Sequence, residues 1–363
     1  MKITCTKPTV MYSLDGQTTK TGKKKIIMEA PLPGIKNTPI PRRCGSCTGC
    51  RIKRRMDLAI RLEHEATQHD QSWFVTATYS PENLPQGGTL VADDMSAFIK
   101  RLRRKVEPTK IRFFGIGEYG EQLGRSHYHF IIFGLPLPDK ILKYTKQNPF
   151  VNYDLQSLLG TPEVFGVPYY QSDLLDESWQ SGIIEATEVS EATMQYVAKY
   201  HVEKVTGDQA ADEYTYHDPL TDQIIELEHP TARMSRNPGL GKKWLEKNYK
   251  TIYPEGVIKK GPSIFSPPTY YDKWYEQTHP EEYEALKHRR FLKKNLDNEL
   301  DTKLNAIELN RKAAMKIGSF QPTTQNAGKK IYGDPENARK FLLDFEMEKR
   351  YGSDQMAKIN SRT

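Results

Sequence analysis

Two apolar segments joined by a short polar connection constrain this chain most. Ile111 to Glu118 and His127 to Phe133 are almost wholly β-branched, aromatic and aliphatic. Between them, Tyr119-Gly120-Glu121-Gln122-Leu123-Gly124-Arg125-Ser126 is rich in turn formers. Parallel strands need a crossover of about a dozen residues or more, so an eight-residue connection calls for an antiparallel hairpin. Trp73-Phe74-Val75-Thr76-Ala77-Thr78-Tyr79 reads as a further buried strand, ended by Ser80-Pro81, and Ile183 to Val189 as a fourth.

Helices fall between these strands. Ile52 to Ala66 is helical in period, with Ile52, Met56, Ala59, Ile60 and Glu63 on one side. Asp93 and Asp94 open a helix whose Met95, Phe98, Ile99 and Leu102 recur at i, i+3, i+4, i+7, leaving a cationic front over 100–105. Ser190 caps another, running to about Val205, with Met194, Val197, Ala198, His201 and Val205 as its buried stripe. Residues 135–182, rich in Pro, Gly, Asn and Asp, read as a long excursion with little helix, and 214–228 as a loop or hairpin. Residues 270–315 read as mixed-charge helix, 317–333 as a linker and 335–350 as a last helix. The expected class is α+β: an antiparallel sheet flanked by helices, with an N-terminal Cys-rich module and a helical C-terminal extension. The expected divisions are a basic Cys-rich module over 1–70, the core over 71–206, a basic accessory segment over 207–260 and the extension over 261–363.

The 363 residues are 37% apolar and 27% charged. No apolar run approaches the roughly 18 residues of a membrane helix, and the N-terminus lacks the apolar core of a secretory signal. A membrane protein and an exported one are therefore both unexpected, and the expected compartment is reducing cytosol. Cys5, Cys44, Cys47 and Cys50 are the only cysteines. In that compartment such clusters more often bind metal than form disulfides. Cys44-x2-Cys47-x2-Cys50 has zinc-like spacing, and Cys5 completes a set of four thiols; reduced structural thiols and an iron–sulfur cluster are the alternatives. The net charge of +7 is unevenly spread. Arg51, Arg54 and Arg55 flank the cysteines, Lys100, Arg101 and Arg104 lie on the helix after Asp93, and Arg236 stands in Met234-Ser235-Arg236-Asn237-Pro238-Gly239-Leu240-Gly241. Such clusters point to a phosphate-rich partner, nucleic acid first, against the alternative of solvated faces.

The chemistry concentrates in His127-Tyr128-His129. Side chains at i and i+2 share one strand face about 7 Å apart, near enough to hold one metal between two imidazoles. In the hairpin Glu118 comes across from them as a third ligand, and Tyr128, Phe130 and Ile132 pack on the opposite face. Two nitrogens and a carboxylate with open positions suit a divalent Lewis acid, Mn²⁺ or Mg²⁺. The alternative is a histidine pair satisfied by hydrogen bonds in a core. Tyr196 and Tyr200 lie one turn apart outside the apolar stripe of their helix, with Lys199 about 60° from Tyr196. A phenol with pKa near 10 needs a nearby cation or base to act as a nucleophile, which Lys199 can supply; the alternative is a pair of surface tyrosines.

Phe74 to Tyr79, His127-Tyr128-His129 and Tyr196 to Tyr200 stand in the order of the three motifs of HUH endonucleases. The chain more closely resembles the replication initiators of small single-stranded DNA phages of the microvirus family, gokushovirus-like. Cys44 to Arg51, Gly117-Glu118-Tyr119-Gly120, His127 to Gly134 and Met234 to Gly241 carry that resemblance, which covers roughly residues 40–250. It implies an HUH-type sheet and a metal-dependent enzyme in the cytoplasm of a bacterial host. Such an enzyme nicks a single-stranded or supercoiled phage origin, forms a 5′-phosphotyrosine, and later rejoins the displaced strand in rolling-circle replication. By motif position Tyr196 and Tyr200 would be the nucleophiles and Glu118, His127 and His129 the ligands. Host helicase, polymerase and single-strand-binding protein would be partners, since no phosphate loop GxxxxGK[ST] is present. The rival readings are a zinc-dependent DNA-binding regulator that does not cut, a relaxase or transposase of the same superfamily, and a metallohydrolase. The last needs further ligands from later strands, whereas His201, His217, His229, His279 and His288 fall on expected helix or loop.

Overall fold

A computed structural model gives the fold; it describes residues 5–19, 24–120, 124–147, 166–203, 214–217 and 222–293. The chain divides into two units, Met1–Lys247 and Asn248–Thr363.

The first unit opens with β1 (Thr9–Thr18), β2 (Lys24–Ile27) and β3 (Asn37–Arg42), an antiparallel sheet in the order β2-β1-β3. Helix α1 (Thr48–Ala66) follows the cysteines. Next come β4 (Ser72–Tyr79), α2 (Ala92–Lys105), β5 (Arg112–Tyr119), β6 (Ser126–Phe133), β7 (Ile141–Gln147) and β8 (Gly166–Gln171). The run continues with α3 (Asp173–Trp179), β9 (Gly182–Glu188), α4 (Glu191–Glu203), β10 (Thr215–His217), β11 (Ile224–Glu226) and β12 (Ala232–Met234). Seven strands pair antiparallel in the order β12-β5-β6-β4-β9-β8-β7. The expected α+β class is therefore correct.

The period of two along the strands makes two cores. Trp73, Val75, Ala77 and Tyr79 of β4 and Tyr128, Phe130 and Ile132 of β6 face α2 and α3, meeting Met95, Phe98, Leu102, Leu175 and Trp179. Phe74, Phe114, Ile116, Ile131 and Phe133 face the other way, onto Leu58, Ala59 and Leu62 of α1 and Met194, Val197 and Ala198 of α4. Each such aliphatic or aromatic side chain contributes about 1.5–3 kcal/mol on full burial. Sheet and ring approach so closely that a Cβ at Gly115 would stand 2.7 Å from the Phe130 ring, and one at Gly117 2.8 Å from Leu90.

Three expectations are corrected. Helix α1 starts at Thr48, four residues before Ile52, and buries Leu58, Ala59, Leu62, His64 and Glu65, while Ile52 is exposed. The sheet takes a neighbouring stripe that includes two polar residues. His64 stacks on Trp244 at 3.4 Å, and Glu65 pairs with Arg112. The stretch 135–182 holds strands β7 and β8 and helix α3. Ile141, Leu142 and Tyr144 of edge strand β7 are exposed, so no burial alternation marks that strand in the sequence. In α4 the buried stripe ends on Val202 rather than His201, which is half-buried; Val205 lies outside the described residues. The hairpin expected within 214–228 is present as β10 and β11, and Thr193 N–H donates to Ser190 Oγ at 3.2 Å, as a helix cap does.

Helix α5 (Lys242–Ile252) spans the boundary between the units. The second unit contains the hairpin β13 (Ile258–Lys260) and β14 (Ser263–Phe265), helix α6 (Thr269–Thr278) and a helix over 280–293. Tyr253 stacks on Tyr275 at 3.8 Å, and Asp272 accepts from Tyr253 and Arg290. The single helix expected from 270 is broken at His279, where the backbone leaves helical geometry (φ −138°, ψ 64°). Residues 294–315, the linker expected over 317–333 and the helix expected over 335–350 lie outside the described residues.

Candidate active site

The register sets the site. Glu118 pairs directly with His127 and Ile116 with His129, so all four side chains project from one face of the β5–β6 hairpin. His127 Nε2 and His129 Nε2 lie 2.9 and 3.0 Å from the same oxygen, Glu118 Oε1. Glu118 and His129 are each only 5% exposed. The other carboxylate oxygen, Glu118 Oε2, is buried with no hydrogen-bond partner. An orphaned carboxylate oxygen beside two imidazole nitrogens is a donor set that fits a divalent cation. The ligand atoms of the three side chains lie within 4.8 Å of one another.

Each imidazole is oriented from behind. His127 Nδ1 lies 3.0 Å from the Arg125 carbonyl, and donating to it leaves the Nε2 lone pair turned toward Glu118. His129 Nδ1 lies 3.1 Å from Thr76 Oγ1, directly across the β4–β6 ladder. Phe74 stacks on the His129 ring at 5.1 Å. Thr76, Phe74 and the Arg125 carbonyl are site residues that motif reading passed over. The signal was available for Thr76, a hydroxyl at a position that alternation puts on the histidine face.

On the far side of the hairpin Tyr128 Oη lies 2.8 Å from Tyr79 Oη and accepts from Val91 N–H at 2.7 Å. Tyr79 in turn donates to Asp94. That buried chain ties the strand carrying the histidines to the start of α2.

The electrostatics follow from proximity. Burial alone would raise the Glu118 carboxyl, but the hydrogen bonds and charges of His127 and His129 outweigh it and hold Glu118 at about 2. Burial opposes protonation of His127 too, yet its bond to Glu118 raises it. His129 is lowered, with burial the dominant cause.

Helix α4 brings both tyrosines to this face. Tyr196 Oη donates to Glu118 Oε1 at 3.2 Å and lies 3.5 Å from His129 Nε2. The Tyr200 ring is 4.6 Å from the Tyr196 ring. Burial first, and then the Glu118 charge, pushes the Tyr196 phenol well above the ordinary range. Lys199 Nζ stands 5.4 Å from the centre of the Tyr200 ring, not beside the Tyr196 hydroxyl.

The four cysteines also converge. Sγ–Sγ distances are 3.6 Å for Cys5–Cys44, 3.8 Å for Cys5–Cys47 and 4.0 Å for Cys44–Cys50, and all four are free thiols. A metal–sulfur bond of about 2.3 Å in a regular tetrahedron puts sulfurs about 3.8 Å apart. The Cys44 N–H donates to Cys5 Sγ and the Cys47 N–H to Cys44 Sγ. Backbone N–H groups of Thr6, chiefly, and Cys50 lower the Cys47 thiol to about 5, favouring thiolate.

The basic residues singled out in the sequence do not form one surface. Arg51 donates to the Val202 carbonyl at the end of α4, and Arg54 to the Gly45 carbonyl beside the cysteines. Arg55 is half-buried on the same helix. Lys100 and Arg104 are exposed on α2, which covers the sheet face opposite His127 and His129. Arg101 is committed inside the fold, donating to the Ser178 and Trp179 carbonyls at the end of α3. Arg236 is exposed in the segment after β12. Among the described residues no helix is long and apolar enough to cross a membrane.

Residues 72–205 match the family model of the replication-associated protein ORF2. Replication-associated protein VP4 of Bdellovibrio phage phiMH2K is 29% identical over 253 residues, covering 67% of this chain and 70% of that protein. Replication-associated protein ORF4 of Chlamydia phage 1 is 32% identical over 169 residues, covering 46% of this chain and 39% of that protein. Replication-associated protein ORF2 of Spiroplasma virus 4 is 26% identical over 261 residues, covering 69% and 71%. No solved structure matches the chain. The matched span runs from β4 to the end of α4, the elements that carry the carboxylate, the histidines and the tyrosines, and over it the chain resembles the replication-associated proteins of microvirus-like phages.

Proposed function

We propose that the protein is a replication initiator that nicks one strand of a phage origin through a tyrosine and later rejoins it. The observation that carries the reading is the Tyr196 hydroxyl lying 3.2 Å from Glu118 Oε1 and 3.5 Å from His129 Nε2, beside a three-ligand set with an orphaned oxygen. Glu118, His127 and His129 would hold the cation, Mn²⁺ or Mg²⁺, which when bound polarises a phosphodiester.

Tyr196 attacks phosphorus: a tyrosyl O–P bond forms, the P–O3′ bond breaks, and the departing 3′ oxygen takes up a proton to become the primer hydroxyl. Tyr200, one turn away and ring to ring with Tyr196, serves the second transfer. The second attack exchanges one phosphodiester for another, so closure needs no nucleotide hydrolysis. Lys199 lies against the Tyr200 ring and so acts on that phenol rather than on Tyr196. The cysteine set holds zinc, since its sulfur spacing suits a closed tetrahedral site and its backbone N–H donors stabilise thiolates. Origin DNA is the partner and the infected host cell the setting, with host helicase, polymerase and single-strand-binding protein acting alongside.

The test is cleavage of single-stranded oligonucleotides from the cognate replicon, with Mn²⁺ or with EDTA, on a denaturing gel. Wild type should give a protein–DNA adduct with Mn²⁺ only, and Tyr196→Phe with Tyr200→Phe should abolish it. Loss in one single variant assigns the first nick. Cleavage without an adduct would replace this reading with a hydrolytic nuclease. Tight binding without cleavage would replace it with the regulator.

A further inference from the structure

The basic groups that the nicking site does not use gather at the opposite end of β5. Glu118 stands near one end of that strand and Arg112 at the other, six residues or about 20 Å apart. At the Arg112 end lies a cleft of about 830 Å³. It is walled by the last turn of α2, the connection from α2 to β5, the segment after β12 and the start of α5.

Four cations line it, Arg103, Lys110, Arg236 and Lys243, against one carboxylate, Glu107. All four are exposed. Lys110, Arg236 and Lys243 have no carboxylate partner among the described residues, and Arg103 stands 5.4 Å from the centre of the Phe113 ring. Surface cations normally scatter or pair with acids; four converging on one concavity create a positive potential that serves no folding purpose.

The walls are fixed rather than incidental. Arg112 bridges Glu65 and the Pro238 carbonyl, which pins the segment carrying Arg236 to the sheet. Phe113 N–H donates to Ser235 Oγ and Ser235 N–H to the Phe113 carbonyl. The cleft is therefore held open by backbone and buried side chains, with its cations on the rim.

We infer that this cleft binds the DNA backbone of the origin away from the scissile phosphate, as a second, sequence-independent contact that sets how the strand enters the nicking site. The inference rests on the nicking reading above. A B-form strand carries a phosphate about every 3.4 Å, so 20 Å corresponds to about six phosphates between the two contacts. Phosphate contacts of this kind position a substrate without reading its bases.

The experiment uses the full chain and 5′-fluorescein-labelled origin DNA of two lengths. One spans at least ten nucleotides on each side of the nick; the other is just long enough to be cut. The variant is Lys110→Gln with Lys243→Gln, two exposed positions outside both cores. The expected result is a loss of about tenfold in affinity for the long DNA near 0.1 M salt, with the slope of log K against log salt reduced by about two. The rate on the short DNA stays at the wild-type level. Equal affinity and slope for variant and wild type on the long DNA overturn the inference and leave the nicking reading intact. Wild type that binds neither DNA overturns both. Competition by free mononucleotide as effective as by long DNA overturns it in favour of a small nucleotide pocket.

Discussion

Two buried glutamates, one toward each end of β5, show how the same group comes to serve different ends. Glu65, 1% exposed, reaches in from α1 and is satisfied on both oxygens: Arg112 and His69 meet Oε1, and the Gly241 N–H donates to Oε2 at 2.7 Å. Glu118, 5% exposed, has His127, His129 and Tyr196 crowded on Oε1 and nothing on Oε2. A buried carboxylate with all its lone pairs engaged is a tie between elements. One with an empty oxygen facing two imidazoles is an incomplete coordination sphere. The difference lies in the partners, since burial, charge and supporting sheet are shared.

Replacing each glutamate by glutamine is the sharpest way to break the comparison. Glu118→Gln should cut nicking about 10³-fold, the several kcal/mol of transition-state stabilisation that a held cation supplies. Its melting temperature should stay near that of wild type, because the lost group was only half satisfied. A melting temperature that falls while adduct formation survives would make Glu118 a structural tie like Glu65.

Glu65→Gln should do the reverse. Removing one partner of a buried, hydrogen-bonded pair costs about 3 kcal/mol, read by denaturant unfolding, while nicking per folded molecule is unchanged. Arg112 would then be a buried charge without its counter-ion, and the Pro238 segment would lose its anchor. An unfolding free energy within error of wild type would sink the contrast from this side.

Acid should separate the two as well. Burial works to raise the Glu65 carboxyl, but His69, the Gly241 N–H and Arg112 outweigh it and hold it below the ordinary range. A depressed carboxylate contributes stability that is complete above its unfolded value of about 4.3 and is lost as pH falls through the folded pKa. Wild type should therefore lose stability on acidification below about pH 5, and Glu65→Gln should show a flatter profile in that window. An unchanged profile would assign acid lability to other carboxylates.

The sequence exposes one of these glutamates and hides the other for a physical reason. Glu118 is legible because a strand register and a short connection fix what stands across from it; Gly117-Glu118 and His127-Tyr128-His129 can meet in few other ways. Glu65 sits in a helix of mixed polarity, and its partners, Arg112, His69 and Gly241, come from three other segments. A helical period that favours Ile52 and Ile60 says nothing about a salt bridge to a strand 47 residues away. The same logic explains why the cysteines were legible as a set while β7 and β8 were not. Cys44, Cys47 and Cys50 are close in the chain, whereas an exposed edge strand carries no pattern of burial.

The smallest expected effect tests how far the open site depends on groups that touch no ligand. Thr76 faces His129 through Oγ1 and Nδ1 at 3.1 Å, on the side of the ring away from Glu118. Thr76→Val keeps the shape and the β-branching of the side chain, and so keeps the strand. It removes the acceptor that fixes which ring nitrogen carries the proton, so His129 Nε2 presents its lone pair only part of the time. Such supporting contacts are worth about 10–100-fold in metal affinity. The lower end applies here, because Phe74 still stacks on the ring. Titration with Mn²⁺ should show about a tenfold weaker midpoint, with nicking restored at saturating metal. Glu118→Gln, which loses a ligand rather than an orienting group, should not be rescued in the same titration. If Thr76→Val stays inactive at any metal concentration, the hydroxyl acts on the reacting groups themselves; if its midpoint is unchanged, the strand alone orients the imidazole.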